Sequence, residues 1–185
     1  MASETERADE DHELVARFAA GDESAFDALV RRYQKPIYWL ARRYVANDAD
    51  AKDVAQRALV QAFLRVRGLR DQLSFRAWLY RVAVNLALNS VRDRRPALPL
   101  DQAPQLPAPG GGDRLVEDET QRRLRAAVAE LPRQQRLVVE LRVFDELPFR
   151  EVAAIAECSE ESARVNFHHA LKKLRERMNG DENHE

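Results

Sequence analysis

Trp78, Arg81, Asn85 and Arg92 lie within the stretch FRAWLYRVAVNLALNSVRDRR, residues 75–95. At about 100° per residue, their spacing puts all four on one side of a helix. Phe75, Leu79, Val82 and Leu86 form the neighbouring stripe, the pattern of a face turned to a core. The first stripe therefore joins an aromatic ring that can stack, an amide that both donates and accepts hydrogen bonds, and guanidinium groups that hold anions. Arg94 and Arg95 extend the cationic end of the same stretch.

A second group sits in LPFREVAAIAECSEESARVNFHHALKKLRERM, residues 147–178, which reads as a helix-turn-helix. Pro148 suits a helix start, and Val152, Ala153, Ile155 and Ala156 make the packing face of a short first helix. Ser159 is placed to cap the next helix, with Glu160 and Glu161 in its first turn. There, Ala163, Phe167, Ala170 and Leu174 form one apolar stripe. The opposite face carries Glu161, Ser162, Val165, His168, His169 and Lys172, with Arg164 beside it. An exposed Val165 could touch a thymine methyl in a major groove. Lys172, Lys173, Arg175 and Arg177 are placed to meet phosphates. A helical hairpin with a solvated basic end remains the alternative for this segment.

No constellation of catalytic type is present. His168 and His169 are adjacent, so their side chains diverge by about 100° and cannot chelate one ion together. The i+4 neighbour of His168 is Lys172, which completes no metal site. The single cysteine, Cys158, excludes an internal disulfide and a Cys-based zinc site, and is expected to be a small buried thiol. No Gly-rich phosphate loop, nucleophile elbow or paired-carboxylate arrangement is evident. The reading is a protein that is not an enzyme and needs no metal or other cofactor.

These groups must be positioned by helices. The 185 residues are 45% hydrophobic and 33% charged, enough for a packed core, and no long alternating run of β-branched residues suggests a strand. The expected fold class is all-α: two small helical domains joined by a Pro/Gly-rich linker, the C-terminal one containing the helix-turn-helix. The break falls in PALPLDQAPQLPAPGGGD, residues 96–113, with five prolines and a Gly triplet. At about 3.1 Å per extended residue it could reach roughly 55 Å. The expected boundaries are 12–95 for the first domain, 96–116 for the linker and 117–178 for the second domain.

The first domain should contain about four helices: a short one in HELVARFAAG ended by Gly21, a second bearing a kink at Pro36, a third starting near Asp48 or Asp50, and the stretch that opens this section. Net charge is −1, but it is segregated: −4 over residues 1–11, +7 over 12–95, −4 over 96–120, +3 over 121–178 and −3 over the last seven. Two basic bodies flanked by acidic segments suit a polyanionic partner. No apolar run approaches the roughly 18 residues that cross a bilayer, and the acidic start is unlike a secretory signal. A cytoplasmic protein without direct membrane insertion is expected.

Three stretches taken in order, DADAKDVAQRALVQAFLRV, FRAWLYRVAVNLALNSVRDRR and LPRQQRLVVELRVFDELPFREVAAIAECSEESARVNFHHALKKLRE, resemble the extracytoplasmic-function (ECF) sigma factors of the sigma-70 family. The resemblance runs from about Leu14 to Met178. It implies a first domain like sigma region 2, which binds core RNA polymerase and recognises and melts the minus-ten element. It implies a second domain like region 4, which reads the minus-thirty-five element. The first stretch would dock on the clamp helices of the β′ subunit through Asp50, Asp53 and Gln56, whose spacing of three keeps them on one face; a solvated face is the alternative. Contact with the β subunit and control by an anti-sigma factor are further implied partners.

On the same basis, Asn85 matches the position that holds a flipped minus-ten base, flanked by Trp78, Arg81 and Arg92. Stacking contributes about 1–3 kcal/mol per base, and an amide can read the edge of a base turned out of the stack. The linker, with Asp101 and Asp113, would thread toward the catalytic centre of the polymerase. Three departures stand out. LRDQLS replaces the Phe-Arg-Gly-Asp-Ser run of many members; Asn166, His169 and Leu171 stand where Arg is frequent; and Glu157 occupies the turn where Gly is common. Two other readings are a conventional helix-turn-helix regulator that binds duplex DNA without polymerase, and a helical adaptor for acidic proteins. The first leaves the Trp78–Asn85 stripe unexplained, and the second would show no promoter-dependent effect on transcription.

Overall fold

A computed structural model of the chain describes residues 4–66, 74–93 and 119–180. Every regular element among them is a helix: α1 (Glu4–Ala19), α2 (Glu23–Arg42), α3 (Asp48–Arg65), α4 (Phe75–Asp93), α5 (Glu119–Ala129), α6 (Arg133–Val139, continuing as a π-helical turn over Glu140–Phe144), α7 (Phe149–Ala156) and α8 (Glu160–Gly180). Arg94, Arg95, Gly68 and the expected linker 96–116 lie outside the described residues.

The first four helices pack as a bundle, and each end has a local cause. Gly21 takes a φ of +103° between α1 and α2, a region where a side chain would be strained. The next residue, Asp22, accepts from the Ser24 N–H and so caps α2, while Arg17 holds its other oxygen at 2.7 Å. Asn47 caps α3 by accepting from the Asp50 N–H at 2.9 Å. The helical span of α2 runs through Pro36, whose missing N–H leaves one intrahelical bond unmade.

Helix α1 is longer than expected, starting at Glu4 rather than near residue 12. Acidic residues favour a helix N-terminus. Here Asp11 is also buried, taking hydrogen bonds from the Tyr33 hydroxyl and, at 2.6 Å, from Arg32. Burial still pushes the Asp11 carboxyl above its ordinary range, against the pull of those two partners.

The core explains the spacing in the sequence. Helix α2 buries Phe26, Leu29, Tyr33, Ile37 and Leu40, and α3 answers with Ala51, Val54, Ala55, Ala58 and Ala62, small residues that allow close helix approach. On α4, Phe75, Leu79 and Leu86 are buried and Val82 is half-buried, joined by Ala77, Tyr80, Ala83, Val84 and Ala87. In the second half, α7 buries Val152, Ala153, Ile155 and Ala156, and α8 buries Ala163, Ala170 and Leu174. Cys158 is half-buried rather than buried.

One feature departs from two separately cored domains. Ala127, Val128, Leu131, Val139, Ala170 and Leu174 form a small core of their own between α5, α6 and α8. Leu137, Val138, Leu141, Leu147 and the apolar face of α7, by contrast, belong to the same continuous core as α1–α4. The two halves meet where α7 packs on α4. The hydrophobic period of α7 was visible in the sequence, but period alone does not say which neighbour a face will meet.

Leu79 is fully buried, whereas Leu64 is 70% exposed. Leu79→Ala should cost about 2–5 kcal/mol of stability by urea denaturation, and Leu64→Ala should stay within about 0.5 kcal/mol.

Candidate nucleic-acid interface

Helix α4 is fixed by Ser74, whose hydroxyl accepts from the Ala77 N–H at 3.1 Å, and by its buried face. Of the stripe read from the sequence, Asn85 and Arg92 are exposed along the outer half of the helix. Trp78 is half-buried and packs against the core, with its ring 6.5 Å from that of Phe75. Arg81 is also half-buried, and its guanidinium lies 3.6 Å from the Glu157 carboxylate in the helix-turn-helix. The outer pair is thus open to a ligand, while Trp78 leans on the core and Arg81 borders the other half of the molecule.

The helix-turn-helix forms as its sequence implies. The α7–α8 turn places Glu157 at φ +54°, a left-handed conformation that glycine would adopt without a steric cost. Ser159 accepts from the Ser162 N–H at 3.0 Å, capping α8. Glu161, Ser162, Val165, His168, His169, Lys172 and Lys173 are all exposed, and Val165 retains 50% of its surface. Arg164 is held within its own domain, 2.5 Å from Glu160 and with its guanidinium 4.6 Å from the centre of the Phe149 ring. Asn166 turns back to donate to the Ser162 carbonyl at 2.9 Å. Its amide is therefore engaged by the helix, unlike an arginine projecting from that position.

The third face lies on α3. Asp53 and Gln56 are exposed and Asp50 is half-buried, its carboxylate accepting from the Asn47 amide at 2.9 Å. Among the described residues Asp53 pairs with its i+4 neighbour, Arg57, at 3.4 Å. Continuing along this face, Val60 and Leu64 are 52% and 70% exposed. The sequence reading stopped at the polar residues; these two exposed aliphatics, four apart, were the available signal that the face continues.

Sequence reasoning also missed the charges between the two halves. Arg76 on α4 donates to Glu151 on α7 at 2.6 Å, and Ser74 donates to the same carboxylate at 3.1 Å. Arg43, after α2, pairs with Asp145, which follows the π-helical turn. The buried Arg136 bridges Glu140 and the Arg43 carbonyl, each at 2.7 Å. Pairs as far apart in the chain as Arg76–Glu151 and Arg43–Asp145 leave no periodic signature. Burial outweighs the Arg43 attraction and raises the Asp145 carboxyl to about 6.

A bundle carrying an exposed amide–arginine edge is followed by a capped helix-turn-helix, an arrangement that suits a nucleic-acid partner. The Sigma-70 region 2 profile matches residues 29–96, and the Sigma-70, region 4 profile matches residues 121–174. RNA polymerase sigma-H factor of Pseudomonas aeruginosa is 31% identical over 185 residues, an alignment covering 90% of this chain and 92% of that protein. ECF RNA polymerase sigma-E factor of Escherichia coli K12 is 31% identical over 176 residues, covering 89% and 92%. Among solved structures, CnrH in complex with the cytosolic domain of CnrY superposes with a TM-score of 0.72 at 26% identity, over 93% of this chain and 99% of CnrH. Sigma factor RpoE of Bartonella quintana, in complex with the anti-sigma factor NepR, shares the fold with a TM-score of 0.66 at 16% identity, over 83% and 96%. The chain belongs to the ECF sigma factors of the sigma-70 family. It is an RNA polymerase sigma factor, acting with core polymerase on promoter DNA in transcription initiation, and a conventional regulator is not favoured.

Asp145 supplies a pH test of the seam between the halves. Because its pKa is raised by folding, its contribution to stability is complete below the ordinary carboxylate range and is lost as pH rises through about 6. Wild type should therefore lose about 1 kcal/mol more than Asp145→Asn between about pH 5 and pH 7. Urea titrations of both proteins across that range provide the check.

Proposed function

We propose that the three faces divide the work of a sigma factor. The exposed line Asp50–Asp53–Gln56, prolonged by Val60 and Leu64, docks on the β′ clamp helices of core polymerase. Asn85 reads an unpaired minus-ten base, Trp78 borders it, and Arg81, Arg92, Arg94 and Arg95 hold the backbone. On α8, Glu161, Ser162, Val165 and His168 face the minus-thirty-five bases, with Arg164, Lys172 and Lys173 toward phosphates. The observation that carries this division is the exposure of Asn85 and Arg92 on a helix whose other side is wholly committed to the core.

On this reading, residues 12–95, together with the earlier start of α1, form the polymerase- and minus-ten-binding domain; 96–116 join it to the minus-thirty-five domain at 117–178. The region 4 domain would approach the β subunit. No catalysis is assigned to either domain, so the protein acts as a binding and melting factor in the cytoplasm. No helix among the described residues is long and apolar enough to cross a membrane. An anti-sigma factor as regulator is supported by the two solved complexes, in which related folds are held by CnrY and NepR.

Docking and melting can be separated. Asp53→Arg should weaken core-polymerase binding at least tenfold by titration without changing the circular dichroism, because the side chain is 62% exposed. Full affinity in that variant would remove α3 from the interface.

Asn85→Ala should leave polymerase binding intact and lower open-complex formation by roughly 10- to 100-fold, the equivalent of about 1–3 kcal/mol for one base read. Permanganate footprinting on templates varied at each minus-ten position is the measurement. Unaltered base preference at every position would make the amide structural.

A further inference from the structure

Helix α8 carries two imidazoles on the face assigned above to DNA. Ala163, Ala170 and Leu174 are buried where α5, α6 and α7 pack on it, and Val165 and Lys172 mark the middle of the opposite, exposed side. At about 100° per residue, His168 and His169 fall on either side of that line, roughly 50° from it in each direction. The divergence that keeps them from sharing a metal ion lets them straddle a groove. A helix lying in a major groove has a phosphate strand along each flank.

The neighbouring groups are engaged or apolar. Arg164 is held by Glu160 and the Phe149 ring, Asn166 turns its amide to the Ser162 carbonyl, and Leu171 brings no charge. Both imidazoles are exposed, with their rings 6.3 Å apart, and neither forms a hydrogen bond or ion pair among the described residues. On α8 itself the charges nearest them in sequence are Arg164, Lys172, Lys173 and Arg175, with Glu161 and Glu176 as the carboxylates; Lys172 lies 3.9 Å from Glu176. Among the described residues no carboxylate from α5, α6, α7 or their turns pairs with either imidazole. Glu130 pairs with Arg177, Glu140 with Arg136, Glu151 with Arg76 and Glu157 with Arg81. The two rings are therefore free to answer to whatever charge approaches α8 from outside.

We propose that His168 and His169 make minus-thirty-five binding proton-linked, each imidazole becoming a phosphate-holding cation when promoter DNA is bound. This rests on the reading that α8 faces the minus-thirty-five element. A phosphate beside an imidazole favours its charged form, so bound DNA draws a proton onto the ring. The complex then holds more protons than the free protein, and affinity rises as pH falls through the neutral range. His169 stands where arginine is frequent in the family. A guanidinium there is charged at any pH, whereas an imidazole is charged only with its proton, so the replacement turns a constant contact into a conditional one.

The test uses holoenzyme reconstituted from the full chain and core polymerase. It is titrated by fluorescence anisotropy against a duplex promoter fragment that it transcribes, at about pH 6 and about pH 8, on either side of the imidazole range. Wild type should bind about tenfold more tightly at the lower pH. Its salt dependence should be steeper there by up to about two units of slope, one for each phosphate held. The double variant His168→Gln/His169→Gln should lose most of both differences, and comparing it with wild type at each pH cancels the titration of the polymerase. The double variant His168→Arg/His169→Arg should bind tightly at both pH values. Both positions are exposed, and circular dichroism checks that the variants keep the fold.

A response lost in one single glutamine variant supports the linkage and assigns it to that residue. A double glutamine variant with the full pH dependence of wild type, while Lys172→Ala weakens binding at both pH values, overturns the linkage and leaves α8 on the minus-thirty-five element. Lys172→Ala without effect at either pH takes α8 off the DNA and overturns both.

Discussion

The Arg76–Glu151 pair joins the N-terminal helical bundle to the half that carries the helix-turn-helix. It sits in the first turns of both α4 and α7, so it sets the placement of the helix-turn-helix against α4. Buried or half-buried ion pairs have a particular energetic character. Removing both charges from water costs several kcal/mol, and their mutual attraction roughly returns it. A seam made of such pairs fixes orientation well but adds little net stability. That combination suits an interface that must form specifically and still come apart.

The unsatisfied groups at the seam support the same view. The Arg43 Nε faces one Glu140 oxygen at 3.9 Å, too far for a hydrogen bond, and one Arg136 nitrogen is buried with no hydrogen-bond partner among the described residues. In the packed form they lose water and gain no full replacement. Separation would return water to those that border the opening. Burial also drives the Tyr44 hydroxyl well above its usual range, with Glu140 pushing in the same direction. Hydrophobic contact from Leu137, Val138, Leu141 and Leu147 opposes this polar strain, since these residues share the continuous core with α1–α4. The contact between the halves is thus held by apolar area and oriented by charge.

How much of this could be read in the sequence depends on the range of the interaction. Ser159 as a cap, the buried stripe of α8 and the core face of α4 are local, with partners a few residues away, and periodicity reports them. The exposure of Asn85 follows from the same periodicity. The start of α1 was missed because an acidic run has no apolar period; it is ordered by Asp11 reaching Arg32 and Tyr33, some twenty residues on. The spacing of Arg81 puts it on one side of α4 with Asn85, but the carboxylate that meets it comes from a turn far along the chain. A helical period says which residues share a side and is silent on what faces them.

Glu157 shows why that silence matters. From local rules alone, a glutamate at a left-handed turn is a defect, because the side chain crowds its own backbone and glycine would relieve the strain. From the sequence, it therefore appeared only as a departure from the usual pattern of the turn. In the folded molecule the same side chain faces Arg81, an ion pair open enough to water that its attraction is modest. The local cost is intrinsic to the turn and persists whether the halves are together or apart, whereas the attraction exists only when they meet. A residue with a constant cost and a conditional gain contributes to the balance between states rather than to the stability of either domain.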